Sequence, residues 1–335
     1  MSKKEIKLGF IGAGSIGSLF GGYLAKVESA IYLPKVFFFC KRKHAEAINK
    51  KGLIIKKDQT ITKIKQIKAY DNLKTYEKEG LKNQDRLFDF IFLSTKTYDI
   101  ESAITEYKSV IDKSKFLVIL QNGIGNEEII SKHISKGKII RIVTSNGALL
   151  EKPGFVVHTG IGKTKIGFAF KCDVELKIGE LKSEQEDISV LFELLNLAGL
   201  ETIKSEDIIK DCWEKIFVNV GINAFGALTR LKNGQLLQND HLKDFMGEAV
   251  KEAIEVAKAK KIDLSEEDFI ALTYDVAIKT SENKNSMLQD VLKKKNTEID
   301  FINGRILKYA EEIGINVPIN ATLTYLIKGL EQSFK

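Results

Sequence analysis

At 335 residues, the chain is longer than one hydrophobic core usually sustains, which points to two domains. Its 44% hydrophobic and 29% charged content fits a globular protein, and the net charge of +7 comes from lysines spread along the chain, which argues against a basic nucleic-acid tail. Cys40, Cys172 and Cys212 form no CxxC pair, so a disulfide framework and a zinc site are excluded, a reducing compartment is implied, and no metal is expected.

The chain opens with a basic then apolar stretch, but the run is short and rich in glycine, so it reads as a buried strand over 6–12 and not as a signal peptide. A helix with apolar periodicity follows over 15–27. KVFFFC (35–40) is a second strand, and KHAEAINKKG (43–52) a short helix closing at Gly52. Residues 52–70 carry alternating lysines and read as a β-excursion, while DFIFLST (89–95) is a buried strand. An amphipathic helix is expected over 97–111, a buried strand over 116–121, a helix from 125, and further strands over 138–150 and 154–170. Beyond about residue 188 the spacing becomes helical, over 188–200, 212–229, 241–261, 266–280 and 296–314. The expected architecture is an α/β Rossmann-type doubly wound domain over 1–205, followed by a mostly α-helical domain over 206–335. No apolar stretch reaches the roughly 18 residues a membrane helix needs, so a cytoplasmic protein is the expectation.

The sequence Gly12-Ala13-Gly14-Ser15-Ile16-Gly17 has the G-x-G-x-x-G spacing, at the end of a strand and the start of a helix. Gly12 suits the tight turn, Gly14 the approach of a pyrophosphate, and Gly17 close packing of helix on strand. A dinucleotide is the expected ligand. NAD sites usually carry an acid after the second strand, but here Lys41, Arg42 and Lys43 follow, which favours the 2′-phosphate of NADP(H); the competing reading is a lysine-rich surface loop. Lys96 follows the third buried strand, at the same edge of the sheet. Asn122, in QNGIG, is a good turn residue and also stands where a nicotinamide ribose or the substrate would lie.

Lys215, Asn219 and Asn223 stand four apart inside an apolar run, so a helix would line them up on one face, walled by Trp213, Ile216, Phe217, Val220 and Ile222. Reduction of a ketone needs a proton donor and fixed dipoles at the carbonyl oxygen. A lysine against an apolar wall should have its pKa lowered unless an acid offsets it, and two carboxamides can hold a carboxylate or orient the ammonium. Of the four histidines, His44, His133 and His241 read as surface helix positions and His158 as structural. A second polar patch holds Asn283, Ser286 and Glu298; the last two would stand about 120° apart on one straight helix, so they do not share a line. Glu298 taken alone also reads as a solvated helix charge.

Taken together, GAGSIG, QNGIG, PGFVVHTGIGKTKIG, WEKIFVNVGINAFGALT, NSMLQDVLKKKNTEIDFINGRI and GINVPIN resemble the ketopantoate reductase family over nearly the whole chain. The resemblance implies an NADP-dependent reduction of 2-dehydropantoate in pantothenate and coenzyme A biosynthesis, by a homodimer joined through its helical domain. It implies Lys215 as catalytic acid and Glu298 as the residue that binds the substrate hydroxyl and orients Lys215. Asn219, Asn223, Asn283 and Ser286 would hold the oxo-acid, and Asn122 would lie by the nicotinamide. Lys41 by spacing, or Arg42 by residue type, would take the 2′-phosphate, with Lys96 as the basic residue after the third strand. Ala224 departs from the proline the family often has there. Two rival functions stay open at this point: a relative acting on another 2-oxo acid, and a nucleotide sensor without turnover. A nucleic-acid binder lacks any reader motif.

Overall fold

The structure, a computed structural model, describes residues 3–79, 87–170 and 178–334, with side chains for all of these except 178–187. Cys172 and residues 80–86 of the lysine-rich stretch fall outside the described residues. The chain divides into two compact units, one of residues 1–121 and 126–208, the other of 122–125 and 209–335.

In the first unit, β1 (Lys4–Ile11), α1 (Ser15–Ala25), β2 (Tyr32–Phe39), α2 (Arg42–Lys51), β3 (Leu53–Lys57), β4 (Thr60–Ile64), β5 (Ile67–Tyr70) and α3 (Leu73–Lys78) come first. Then follow β6 (Phe90–Leu93), α4 (Ile100–Glu106), α5 (Lys108–Asp112), β7 (Phe116–Ile119), α6 (Asn126–Ile130), β8 (Ile139–Thr144), β9 (Gly147–Lys152), β10 (Phe155–Gly160), β11 (Thr164–Phe168), α7 (Ile178–Leu197) and β12 (Thr202–Lys204). Eight strands form one sheet in the order β12-β11-β8-β7-β6-β1-β2-β5. It is parallel from β8 to β5, and β11 joins β8 antiparallel. The central strands are apolar on both faces because both are covered: Phe10 stacks on Phe92 at 4.2 Å, and Leu8, Phe38 and Val118 are fully buried. Each such side chain contributes roughly 1.5–3 kcal/mol of burial. A second sheet, β4-β3-β10-β9, packs on α1. Gly22 makes that possible, since a Cβ there would stand 2.6 Å from Ile55.

The order of strands reverses at β1, whose neighbours are β2 on one side and β6 on the other. In an open parallel sheet, the crevice past the strand ends at such a reversal is where ligands bind. The glycine turn stands at that point.

In the second unit the helices are α8 (Ile208–Thr229), α9 (Asn233–Leu236), α10 (Asp240–Ala259), α11 (Phe269–Lys279), α12 (Ser286–Leu292), α13 (Asn303–Ile313) and α14 (Pro318–Gln332). The start of α14 is capped from α10: the Glu252 carboxylate accepts the Ile319 and Asn320 amides, both at 2.9 Å. These first-turn amides have no partner within their helix, and a carboxylate there also suits the helix dipole.

Two expected helices are broken. Residues 97–111 form a 3-10 turn at Thr97–Asp99, then α4 and α5, interrupted at Tyr107. Tyr107 is buried with its ring 5.1 Å from Phe39, so the chain bends where this aromatic side chain docks. Residues 296–314 form a 3-10 turn at Ile299–Phe301 and then α13, because the Phe301 carbonyl turns out to accept the Ile124 amide at 3.2 Å. Ser286 and Glu298 therefore sit on separate elements, and the angle between them on one straight helix does not apply.

Candidate active site

The glycine turn has the form the three glycine roles require. Gly12 has φ +76°, and a Cβ there would stand 2.7 Å from the Thr95 backbone. The Gly12 and Ala13 amides donate to the Phe39 carbonyl at 2.9 and 3.1 Å, which ties the turn to the end of β2. At Gly14 a Cβ would meet nothing closer than 3.7 Å, so the backbone is open to a ligand on that side. At Gly17 a Cβ would collide with Ser94 Oγ, so α1 lies directly on the end of β6. α1 has no side-chain cap at Gly14, which leaves its first amides for an anion. The Ser15 hydroxyl is engaged, accepting the Leu150 amide at 3.0 Å. Ile16 is partly buried and packs against the core. This donor set fits a dinucleotide diphosphate.

The basic residues follow β2. Lys41 is the N-cap position of α2 and its side chain is exposed. Arg42 is 78% exposed at its side chain and pairs with Glu46 at 3.3 Å and Asp71 at 3.6 Å. Lys96 occupies the N-cap position of the 3-10 turn after β6, and its side chain does not cap that turn. The loop carrying Lys96 is pinned by Gln121, whose Nε2 donates to the Thr95 carbonyl at 3.0 Å and the Lys96 carbonyl at 3.3 Å. Gln121 escaped the sequence reading, although it directly precedes Asn122; an amide at a strand end carries no signal of its own.

His44 is not a surface residue: it is 3% exposed. The Gly154 amide donates to its Nδ1 at 2.8 Å, so Nε2 carries the proton and donates to Ser18 Oγ at 3.0 Å. Ser18 in turn donates to the Ala13 carbonyl at 3.1 Å, so this chain of bonds buttresses the glycine turn. Burial pushes the His44 pKa down from 6.5 to about 4. Above pH 6.5 the group is neutral whether the chain is folded or not, and it sets no pH dependence there. As pH falls from 6.5 toward 4, only the unfolded chain takes up the proton, and about 3 kcal/mol of stability is lost. Urea unfolding at pH 7 and pH 4.5 should show this loss, and His44→Gln should flatten it; an equal slope in both proteins would remove His44 as its source.

The second unit places the polar face on α8. Lys215, Asn219 and Asn223 lie on this one helix, with Trp213, Ile216, Phe217, Val220 and Ile222 buried around them. Lys215 Nζ donates to Asn122 Oδ1 at 2.8 Å. Asn223 is 5% exposed, yet neither its amide nor that of Asn219 has a side-chain hydrogen bond among the described residues. Glu298 is 7% exposed, at the N-cap of the 3-10 turn, so it is not a solvated helix charge. Asn283 and Ser286 are exposed, at the connection from α11 and the first position of α12. The residue that ties α12 to α8 is Asn285, which sequence reasoning did not single out. Its Oδ1 accepts the Leu288 amide at 2.9 Å as N-cap, and its Nδ2 donates to the Ile222 carbonyl at 3.4 Å. Gly226 leaves it the room, since a Cβ there would collide with Nδ2.

A glycine turn at the strand-order reversal, with the uncapped start of α1 behind it, defines the first unit as a Rossmann-like dinucleotide-binding fold. The family profile described as Ketopantoate reductase PanE/ApbA matches residues 8–169, and that of its C terminal matches residues 207–331. The chain belongs to the ketopantoate reductase family and is an oxidoreductase of this kind. It is 37% identical to the 2-dehydropantoate 2-reductase of Pyrococcus horikoshii over 97% of this chain and 98% of that one. It is 34% identical to the enzyme of the same name from Archaeoglobus fulgidus, over 96% of each chain. Among solved structures it is similar to D-mandelate dehydrogenase in a ternary structure with NADH and anilino(oxo)acetate, at a TM-score of 0.84 and 26% identity, covering 98% of this chain and 99% of that one. Among the described residues no helix is long and apolar enough to cross a membrane, and no group of His, Cys, Asp and Glu could hold a metal ion.

Proposed function

We propose that the chain catalyses the NADPH-dependent reduction of 2-dehydropantoate to pantoate, a step in pantothenate and coenzyme A biosynthesis. The observation that carries this reading is the Lys215 ammonium held 2.8 Å from Asn122 Oδ1, on a helix whose next two turns present Asn219 and Asn223. NADPH supplies the hydride that goes to C2 of the oxo-acid. Lys215 Nζ gives its proton to the C2 oxygen as charge develops there, so the product leaves as the alcohol, and solvent reprotonates the amine. Asn219 and Asn223 hold the oxo-acid, with Asn283 and Ser286. Glu298 accepts a hydrogen bond from the substrate hydroxyl and orients Lys215, and Asn122 fixes the ammonium beside the nicotinamide. Gly12, Ala13, Gly14, Ser15, Ile16 and Gly17 hold the diphosphate, and Lys41 or Arg42, with Lys96, the 2′-phosphate end. Residues 1–205 serve as the cofactor domain and 206–335 as the substrate and dimerisation domain of a cytoplasmic homodimer.

Removing an amide that contacts a charged ligand costs about 1.5–3 kcal/mol. Asn223→Ala should therefore raise the KM for 2-dehydropantoate by roughly 10–100-fold. The NADPH KM should stay within about twofold. An unchanged oxo-acid KM would take Asn223 out of the pocket.

The likeness to D-mandelate dehydrogenase supports a second reading, a reductase of a different 2-oxo acid. One methyl group in an apolar pocket shifts specificity by only about 1–3 kcal/mol, so the fold does not fix the substrate. Comparing kcat/KM for 2-dehydropantoate and for aryl and straight-chain 2-oxo acids decides between the two.

A further inference from the structure

The Asn122–Gly125 turn is clamped at three consecutive residues. Gly123 has φ +85°, and a Cβ there would stand 2.6 Å from the Phe301 carbonyl oxygen. The Ile124 amide donates to that same oxygen at 3.2 Å. Gly125 has φ +76°, and a Cβ there would stand 2.6 Å from the Tyr309 hydroxyl and 3.0 Å from Arg305 Nε. Of the clamp residues, Phe301 ends the 3-10 turn and Arg305 and Tyr309 stand one turn apart on α13; their side chains stack as one column. The Arg305 guanidinium is threaded through it, 4.9 Å from the Phe301 ring and 5.8 Å from the Tyr309 ring.

Arg305 is an unusual residue to spend on packing. It is 6% exposed, and no carboxylate pairs with it among the described residues. Its Nε makes no hydrogen bond there either. Burying a guanidinium without a carboxylate is costly, and two aromatic faces offset only part of that. The column also reaches α8. Tyr309 stacks on Trp213 at 5.7 Å with 25° between the planes, and Trp213 is two residues before Lys215. The contacts therefore close a ring: α8 through Trp213 to Tyr309 and Arg305, on to Gly125, along the turn to Asn122, and from Asn122 Oδ1 back to Lys215 on α8.

We propose that the Phe301–Arg305–Tyr309 column is a positioning device that holds Asn122 against Lys215, with Arg305 and the side-chain-free Gly125 as its contact point. The contacts of Arg305 and Tyr309 run to Gly125, Phe301 and Trp213. They act through the Asn122–Lys215 hydrogen bond, and the proposal rests on the reading of Lys215 as the acid.

The test is a double-mutant cycle in the full-length enzyme. Gly125→Ala drives a methyl group into the Tyr309 hydroxyl and Arg305. It should lower kcat by between about 10- and 100-fold, the effect of a misplacement near 1 Å, with the oxo-acid KM within about twofold. Asn122→Ala should lower kcat by a similar factor, and Gly125→Ala should cost nothing further in the Asn122→Ala background. Arg305→Met, which adds no bulk to the turn, should follow the same pattern and stands in if Gly125→Ala does not fold. Multiplicative losses in either cycle, or a rise in KM with kcat unchanged, would overturn the proposal by showing that the column acts on something other than Asn122. Lys215→Met, measured alongside, separates the two readings. If it keeps activity, the acid assignment has failed; if it loses activity while Arg305→Met does not, only the positioning role has.

Discussion

In Lys215→Met, kcat should fall by about 10²–10⁴, the contribution of a positioned general acid. Methionine keeps the length and apolar stem of lysine, so the packing of the α8 residues Trp213 and Phe217 on Tyr309 and Phe269 should hold and the melting temperature should stay close to that of the native chain. The NADPH dissociation constant, measured without oxo-acid, should stay within about twofold, because the residues expected to hold its phosphates are at the glycine turn and at Lys41, Arg42 and Lys96. A variant that keeps more than about a tenth of the native kcat would remove Lys215 from the acid role. A fall in kcat accompanied by a loss of helicity would instead mean that the ammonium had been holding α8 in place.

Lys41→Ala with Arg42→Ala should lower kcat/KM for NADPH by roughly 10–100-fold and leave NADH within about twofold. Charge-assisted hydrogen bonds to a phosphate contribute about 1.5–3 kcal/mol, and only NADPH has the 2′-phosphate to lose them. Arg42 pairs with Glu46 and Asp71, but its side chain is 78% exposed, so losing these pairs should leave thermal stability nearly unchanged. The single variants then divide the phosphate between the two residues. Equal losses with both cofactors would return this segment to the status of a lysine-rich surface loop.

The glycine turn was legible from sequence because Gly12 and Gly17 answer steric demands that leave no alternative residue, while a Cβ at Gly14 would meet nothing closer than 3.7 Å. A Cβ would meet the Thr95 backbone at Gly12 and Ser94 at Gly17. The line of Lys215, Asn219 and Asn223 was legible because helical spacing alone fixes it, and α8 runs unbroken through all three. What periodicity could not show is where tertiary contacts interrupt it. Tyr107 docks on Phe39 and divides one expected helix, and the Phe301 carbonyl turns to Ile124 and divides another. Burial of polar residues was equally hidden. His44 follows three cations in sequence and looks solvated, yet the Gly154 amide from a distant turn reaches its ring. Asn285 and Gln121 act as pins, and amides in that role are indistinguishable in sequence from those on a surface. The helix over Pro318–Gln332 went unassigned, and its start is capped by Glu252 from another helix, a long-range contact that local signals do not reveal.

The central claim, reduction of a 2-oxo acid at the Lys215 face, is tested most directly by following NADPH consumption with 2-dehydropantoate as the only oxo-acid and identifying the product. The account predicts one pantoate formed for each NADPH consumed, with turnover lost in Lys215→Met. NADPH binding without consumption, or consumption that persists undiminished in Lys215→Met, would contradict it.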